Sequence, residues 1–525
     1  MTMTLSLSGI ARPRRAALAQ GALPALRGCA LLAMLCVAGC AIGPNYRKPA
    51  VETPATFKEG VDWQRAQANP QASLSSTWWT VYQDPVLTHL VEQSVKANQS
   101  IVAAEAAYRV AQATVDSSVA SLFPVVTTGL SATRSGTGAG AAANGVSTTT
   151  GSTEVGVRNS VSANVAASWE PDLWGQIRRE IESSKESAQA SDAQLAGERL
   201  SIEASVATDY FALRQADIDI ASLKAQQAID RRILEITRVA YAQGTASNDD
   251  ILVAQDTLEA VVAALQSTET SREQDEHAIA VLIGVPPASF TLAAQQDYAF
   301  SSPAVPLALP SELLERRPDV VEAERTAAAA NAKIGVAEAA FFPVLDLAAQ
   351  GGFEHNTFAH LFSLPSRAWT LGPDLAATLF DGGARSAAVR QARATYDEDV
   401  ATYRETVLSA FQNVEDNLSS WNHLAQQEGA YSNIYARNKA LFASERAQLD
   451  AGTASEENLL TQQLTLLQAQ QNLKDTQSLL VQSSVSMIKN LGGGWQWDEK
   501  KGAAVATAGT TLTAAHTPPA TSSSR

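Results

Sequence analysis

Residues 160–169, Ser160-Val161-Ser162-Ala163-Asn164-Val165-Ala166-Ala167-Ser168-Trp169, decide how the chain is read. Val161, Ala163, Val165, Ala167 and Trp169 alternate with Ser160, Ser162, Asn164, Ala166 and Ser168. Successive side chains of a strand point to opposite faces, so this segment predicts a strand with one apolar face and one polar or small face. A second segment repeats the pattern: Trp369, Leu371, Leu375, Ala377 and Leu379 alternate with Thr370, Gly372, Asp374, Ala376 and Thr378. Segments of about 10 residues with this alternation are the signature of membrane-barrel strands, with lipid outside and water within. The reading turns Val161, Val165, Trp169, Leu371, Leu375 and Leu379 toward lipid. Less regular partner strands are expected at 124–133 and 343–352, which makes hairpins of about 121–173 and 342–381. The Gly/Ser/Thr/Ala-rich stretch from Arg134 to Arg158 reads as an exposed loop, and Phe353 to Ser366 plays the same part in the second hairpin.

Long rods flank the strands. From Gln176 to Ala242 there is no proline, and Ala, Gln, Glu, Arg and Leu dominate; Arg385 to Ala451 has the same character. Each run predicts roughly 100 Å of helix. Ile202, Val206, Tyr210 and Leu213 recur at helical spacing. Such a rod must lie against others, as in coiled coils. A purely coiled-coil scaffold would have no use for the alternating strands. The rods and strands also recur as a pair of copies. Gly175-Gln176-Ile177-Arg178 answers Gly382-Gly383-Ala384-Arg385, Gly244-Thr245-Ala246-Ser247 answers Gly452-Thr453-Ala454-Ser455, and Leu282-Ile283-Gly284 answers Asn490-Leu491-Gly492. All three pairs are about 207 or 208 residues apart, far beyond a solenoid period. The pattern reads as an internal two-fold repeat of a whole architectural unit.

The N-terminus reads as an export signal. Arg12, Arg14, Arg15 and Arg27 precede the apolar run Ala30 to Val37, and small residues lead into Ala38-Gly39-Cys40. The ending resembles a bacterial lipobox, which implies cleavage of residues 1–39 and a lipidated Cys40 carrying diacylglycerol and an N-acyl chain. Ala41, rather than an aspartate, follows the cysteine, so the expected destination is the outer membrane. The three cysteines stand at 29, 36 and 40, so the mature body has no disulfide to stabilise it. The formal charge is −15, and loss of four signal arginines leaves 35 basic residues against 54 acidic. That balance argues against nucleic acid as a partner. No apolar run after Cys40 is long enough to cross a bilayer as a helix. Any crossing must use β-strands. Four strands cannot close around water, since the smallest membrane barrels have about eight. The subunits must therefore share one barrel, with twelve strands in a trimer; by counting alone, a dimer with eight is also open.

Several segments resemble the TolC-like outer-membrane efflux channels, in particular the OprM/NodT lipoprotein branch. They are Gly43-Pro44-Asn45-Tyr46-Arg47-Lys48-Pro49 after the lipid cysteine, Trp79 with Tyr82-Gln83-Asp84-Pro85-Val86-Leu87, the run Leu309 to Val320 containing Glu315-Arg316-Arg317-Pro318-Asp319, Phe341-Phe342-Pro343, and Leu491-Gly492-Gly493-Gly494-Trp495. The resemblance covers about residues 40–497. It implies an α+β membrane protein in which long helical hairpins form a periplasmic helical barrel, and four strands per subunit join a shared trimeric 12-stranded transmembrane β-barrel. It also implies a homotrimer that acts as the passive exit channel of a tripartite pump, with a periplasmic adaptor and an inner-membrane transporter of the resistance-nodulation-division class, and carries drugs and other small toxic compounds. The domain plan is a signal at 1–39, a leader at 40–76, a first repeat at 77–285, a linker at 286–315, a second repeat at 316–497, and a Thr/Ala/Pro/Ser-rich tail at 498–525 read as disordered.

The family also implies a periplasmic tip at Gly244, Thr245, Gly452 and Thr453, where the adaptor docks and the closed gate lies. Asp249, Asp250, Glu456 and Glu457 just past the glycines are the candidate gate acids, although acids in a helix's first turn are also favoured by the helix dipole alone. The second turn departs from the family, with Asn458 and Thr461 where acids can occur. A type I protein-secretion duct would share this fold, and a non-channel lipoprotein scaffold would need the helices only. Nothing points to an enzyme, cofactor or metal centre. The six histidines form no catalytic or metal motif, and His355 and His360 in an expected outer loop read as polar surface. Met487 is the sole methionine after Cys40, which argues against a soft-metal relay.

Overall fold

A computed structural model describes residues 41–54, 57–59, 77–136, 157–303, 316–495 and 497. The signal, Cys40 and the tail from 498 onward lie outside the described residues. A 3-10 turn at Trp78–Tyr82 leads into α1 (Pro85–Ala97) and α2 (Gln99–Ala120), then β1 (Val125–Gly136) and β2 (Val157–Trp169). Helices α3 (Gln176–Ala242) and α4 (Asn248–Leu282) follow, then α5 (Pro318–Ala339), β3 (Val344–His355), β4 (Arg367–Ala376), α6 (Ala384–Asp450) and α7 (Glu456–Asn490). The helices match in pairs: α2 and α5 have 22 residues each, α3 and α6 have 67, and α4 and α7 have 35. At 1.5 Å per residue the longest are about 100 Å. No helix among the described residues is long and apolar enough to cross a membrane.

The four strands form one antiparallel sheet in the order β1-β2-β3-β4. Strand bounds shift from the sequence reading in three places. Arg134–Gly136 pair with Val157–Asn159, so the expected loop is shorter at both ends. Phe353, Glu354 and His355 pair with Ala163, Ser162 and Val161 instead of joining the outer link. At the other end β4 stops at Ala376, leaving Ala377 and Leu379 beyond the strand. The cause lies on the neighbouring strand, where pairing begins at Val344↔Ala376. Pro343 before it has no N–H to give, and its carbonyl accepts from Trp174 Nε1 at 2.7 Å.

Contacts divide the chain into two compact units: one holds Thr114–Ser184, Ala329–Tyr396 and the chain up to Tyr46, and the other Arg47–Ala113, Lys185–Ala328 and Asp397 onward. In the first unit the leader is clasped beside the sheet. Arg179 is almost fully buried; its Nε donates to Ile42 O (3.0 Å), and its Nη2 to Gly43 O (3.0 Å) and Asn45 Oδ1 (2.8 Å). Asn331 Nδ2 donates to Pro44 O at 3.0 Å. Gly43 has φ +98°, and a Cβ there would collide with the Gly335 backbone, so this close approach needs glycine on both sides.

The second unit holds the main core, built on Trp78, Leu87, Tyr210, Phe211, Tyr403 and Leu418. Asp84 caps α1 by accepting from Val86 N and Leu87 N, and it also accepts from Tyr210 Oη (2.7 Å) and Tyr298 Oη (2.9 Å). One carboxylate thus ties α1, α3 and the 286–303 linker together. Asp217 does the same two turns further along α3 from Tyr210. It accepts from Arg214 Nη1 (3.0 Å), Arg272 Nε (2.7 Å) and the Gln295 backbone N–H (2.9 Å).

Several carboxyls in this unit are held well above their ordinary range. Burial pushes Glu203 up to about 7, against the lowering effects of Trp78 and Arg199. Burial and then the nearby Asp275 push Asp209 to about 6, and burial and then Asp219 push Asp475 to about 6. Groups with raised pKa bind protons more readily folded than unfolded, so stability falls as pH rises between the unfolded and folded values. The helical unit should therefore melt at a higher temperature at pH 5 than at pH 8, followed by circular dichroism. Glu203→Gln should flatten the upper part of that slope, and a melting point that rises with pH would contradict the assignment.

Candidate functional site

Two features carry functional meaning, the faces of the sheet and the tips of the helical hairpins. Paired residues of an antiparallel sheet share a face, so the register assigns every strand at once. Val165 pairs with Thr128 on one side and Gly351 on the other, and Gly351 pairs with Trp369. The same face carries Val126 and Leu130 of β1, Ala163 and Trp169 of β2, Leu345, Leu347 and Phe353 of β3, and Leu371 and Leu375 of β4. Many of these are open: Val165 is 53% exposed, Leu371 77% and Trp369 78%. The opposite face carries Thr127, Ser131, Ser160, Ser162, Asn164, Ser168, Asp346, Gln350, Asp374 and Thr370. The apolar set of β3 escaped the sequence reading, although Leu345-Asp346-Leu347 shows the same period of two. Val161 keeps the parity of Val165 yet is only 9% exposed, and Leu379 lies past the end of β4.

Aromatic residues bound the apolar face at both ends. Trp174 stacks on Phe342 with ring centres 4.9 Å apart, Trp169 Nε1 donates to Leu122 O at 2.9 Å, and Arg385 lies over the Phe341 ring. At the other end Phe353 meets Phe362 at 5.5 Å, with Phe358 and Trp369 exposed nearby in sequence. His355 and His360 have ring centres 5.5 Å apart, and His355 Nδ1 accepts from the Thr357 N–H at 3.0 Å. No group of three or more metal-ligating side chains occurs among the described residues.

The two hairpin tips are built alike. Gly244 (φ +76°) follows α3 and Gly452 (φ +72°) follows α6. Gly244 N–H donates to Tyr241 O and Thr245 N–H to Ala240 O, both at 2.9 Å; Gly452 N–H and Thr453 N–H repeat this with Leu449 O and Gln448 O at 2.9 Å. Each is a Schellman closure, which needs a left-handed residue at the glycine. A serine then caps the returning helix. Ser247 and Asp250 form a reciprocal capping box (Ser247 N–H to Asp250 Oδ2, 2.7 Å; Asp250 N–H to Ser247 Oγ, 3.2 Å), and Ser455 Oγ accepts from Asn458 N–H at 3.1 Å.

The four candidate acids therefore differ. Asp250 is committed to its cap, and hydrogen bonds from Ser247 hold its carboxyl below the ordinary value. Glu456 takes a two-pronged ion pair from Arg232 on α3 (Nε to Oε1 2.8 Å, Nη2 to Oε2 2.9 Å), which lowers its pKa, while Arg232 Nη1 also reaches Glu235 at 3.1 Å. Asp249 and Glu457 are exposed in the first turns of α4 and α7. Arg232 was not among the expected residues, because it meets Glu456 across 224 positions of sequence.

The chain belongs to the outer membrane efflux protein family, which residues 90–285 and 309–493 match. Over 467 residues it is 31% identical to the antibiotic efflux pump outer membrane protein ArpC of Pseudomonas putida, covering 87% of this chain and 93% of that one. It is also 31% identical over 464 residues to the pyoverdine export outer membrane protein OpmQ of Pseudomonas aeruginosa, covering 85% and 94%. Among solved structures, the outer-membrane channel OprN superposes with a TM-score of 0.74 at 29% identity, over 87% of this chain and all of that one.

Proposed function

We propose that three copies of this chain close a twelve-stranded barrel in the outer membrane and continue it as a helical tunnel into the periplasm. The register carries this reading, since it collects apolar residues from all four strands on one face and polar residues on the other. From Val161 to Trp169 the strand runs about 26 Å at about 3.3 Å per residue, or about 20 Å along the normal at a tilt of about 40°. That is close to the apolar height a bacterial outer-membrane barrel presents, and the two aromatic groups sit where interfacial girdles do. The paired helix lengths support an internal duplication. The leader, lipidated at Cys40 with diacylglycerol and N-acyl chains, is drawn to the base of the sheet by the Arg179 clasp. As the outer-membrane duct of a tripartite pump, the channel receives cargo from an inner-membrane transporter of the resistance-nodulation-division class through a periplasmic adaptor. Relatives named for antibiotics and for pyoverdine support small molecules as the cargo.

In this reading the tips at Gly244, Thr245, Gly452 and Thr453 dock the adaptor, and Asp249 and Glu457 are the acids left to face the aperture. The Arg232–Glu456 pair ties the two hairpins of one subunit together and holds the tip closed. Purified protein in planar bilayers should then give discrete conductance steps. Arg232→Ala should give steps several-fold larger, with trimers intact. Bilayers that stay silent with both proteins would contradict the channel, and equal steps from both would remove the ion pair from the gate.

A further inference from the structure

A few turns back from the hairpin tips, α3, α4, α6 and α7 surround a cleft of about 500 Å³. Asp230 of α3 lines it and is only 4% exposed. Among the described residues it has no hydrogen bond or ion pair, and no other lining residue carries a charge. A buried carboxylate without a counter-charge is costly to keep, so its persistence at the wall of an accessible cleft calls for something to meet it. The remaining wall has two characters. Gln226, Asn438 and Gln468 offer neutral amides, whereas Val261, Ile434 and Leu464 are aliphatic.

We propose that this cleft binds a short aliphatic amine, with its ammonium group on Asp230 and its methylenes against Val261, Ile434 and Leu464. An ammonium presents three donors and no acceptor, which one carboxylate and flanking amide oxygens satisfy. A divalent metal ion is a poorer match, because hard cations gather several charged oxygen ligands and this wall has one. The site lies apart from the tip acids and does not depend on the channel reading, since it is formed within one chain.

The test is calorimetric titration of the full-length, detergent-purified protein with butylamine at constant ionic strength. Wild type should bind one amine per chain saturably at millimolar concentration or below. Asp230→Asn, which keeps the shape, should weaken binding at least tenfold and should itself raise the melting temperature of the amine-free protein. The tip variant Asp249→Asn should bind as wild type does. Burial raises the Asp230 pKa, so wild-type binding should fade as pH falls and the carboxyl takes up a proton. Absence of saturable heat up to about 10 mM, unchanged affinity in Asp230→Asn, or an equal saturable heat from sodium chloride injected at the same concentrations would each overturn the proposal.

Discussion

Val165→Arg should cut the yield of folded, membrane-inserted protein sharply, while Asn164→Arg next to it should leave the yield close to wild type. The two residues are neighbours in β2 but occupy opposite faces of the sheet. An arginine on the lipid face costs about 2–4 kcal/mol near the bilayer midplane and far less near the interfaces. Val165 lies near the middle of the apolar stretch of β2, and Leu375→Arg, near the end of β4, should cost less. Asn164 is flanked in the register by Gly129 and Gly352, and its side chain fills the room that they leave: a Cβ on Gly129 would sit 2.7 Å from Asn164 Oδ1. A longer side chain at 164 can extend over those glycines into water. Insertion scored by heat-modifiable migration and by protease protection in outer-membrane fractions separates the two variants. Equal loss from both would show that the sheet does not have one lipid face.

Asp217→Ala should destabilise the helical unit by about 3–5 kcal/mol, the usual consequence of removing one partner from a buried ion network. The Asp217 side chain has no solvent exposure, and Arg214 and Arg272 both rely on it at 3.0 and 2.7 Å. Arg214 also donates to Ala293 O (2.8 Å), Arg272 to Leu292 O (2.7 Å), and Gln295 N–H to Asp217 itself. The substitution therefore strands Arg214, leaves Arg272 with Glu276 as its remaining carboxylate, and frees the Gln295 N–H from α3. Replacing the network as a whole with apolar residues, Arg214→Met with Asp217→Leu, Arg272→Met and Glu276→Leu (Glu276 being the other carboxylate paired with Arg272), should recover much of the loss, because no unpaired charge is left behind. Denaturant unfolding of the three proteins measures both effects. A loss below about 1 kcal/mol for Asp217→Ala would mean that the network contributes little.

What could be read in the sequence is what local chemistry determines. The proline-free run Gln176–Ala242 is helix α3 with the same ends, because helix propensity and a following glycine act within a few residues. The strand parity of Val165 and Leu371 was visible because side-chain alternation is a property of one strand. The contacts that organise the site were out of reach, being set by packing between distant segments. Arg232 and Glu456, or Tyr210 and Tyr298 on Asp84, have no local signature. Leu379 failed for a related reason. Its own alternation continues, but the neighbouring strand stops at Val344, after a proline that cannot pair. Asp250 reads equally well as a gate acid or as a cap until its bond to Ser247 is seen.

The claim that four strands per chain must be shared to close a barrel is tested most directly by native mass spectrometry of the protein released from lipid bilayers. The account predicts a particle of three chains, each beginning at Cys40 and carrying the mass of its acyl groups. A stable membrane-inserted monomer or dimer would contradict it.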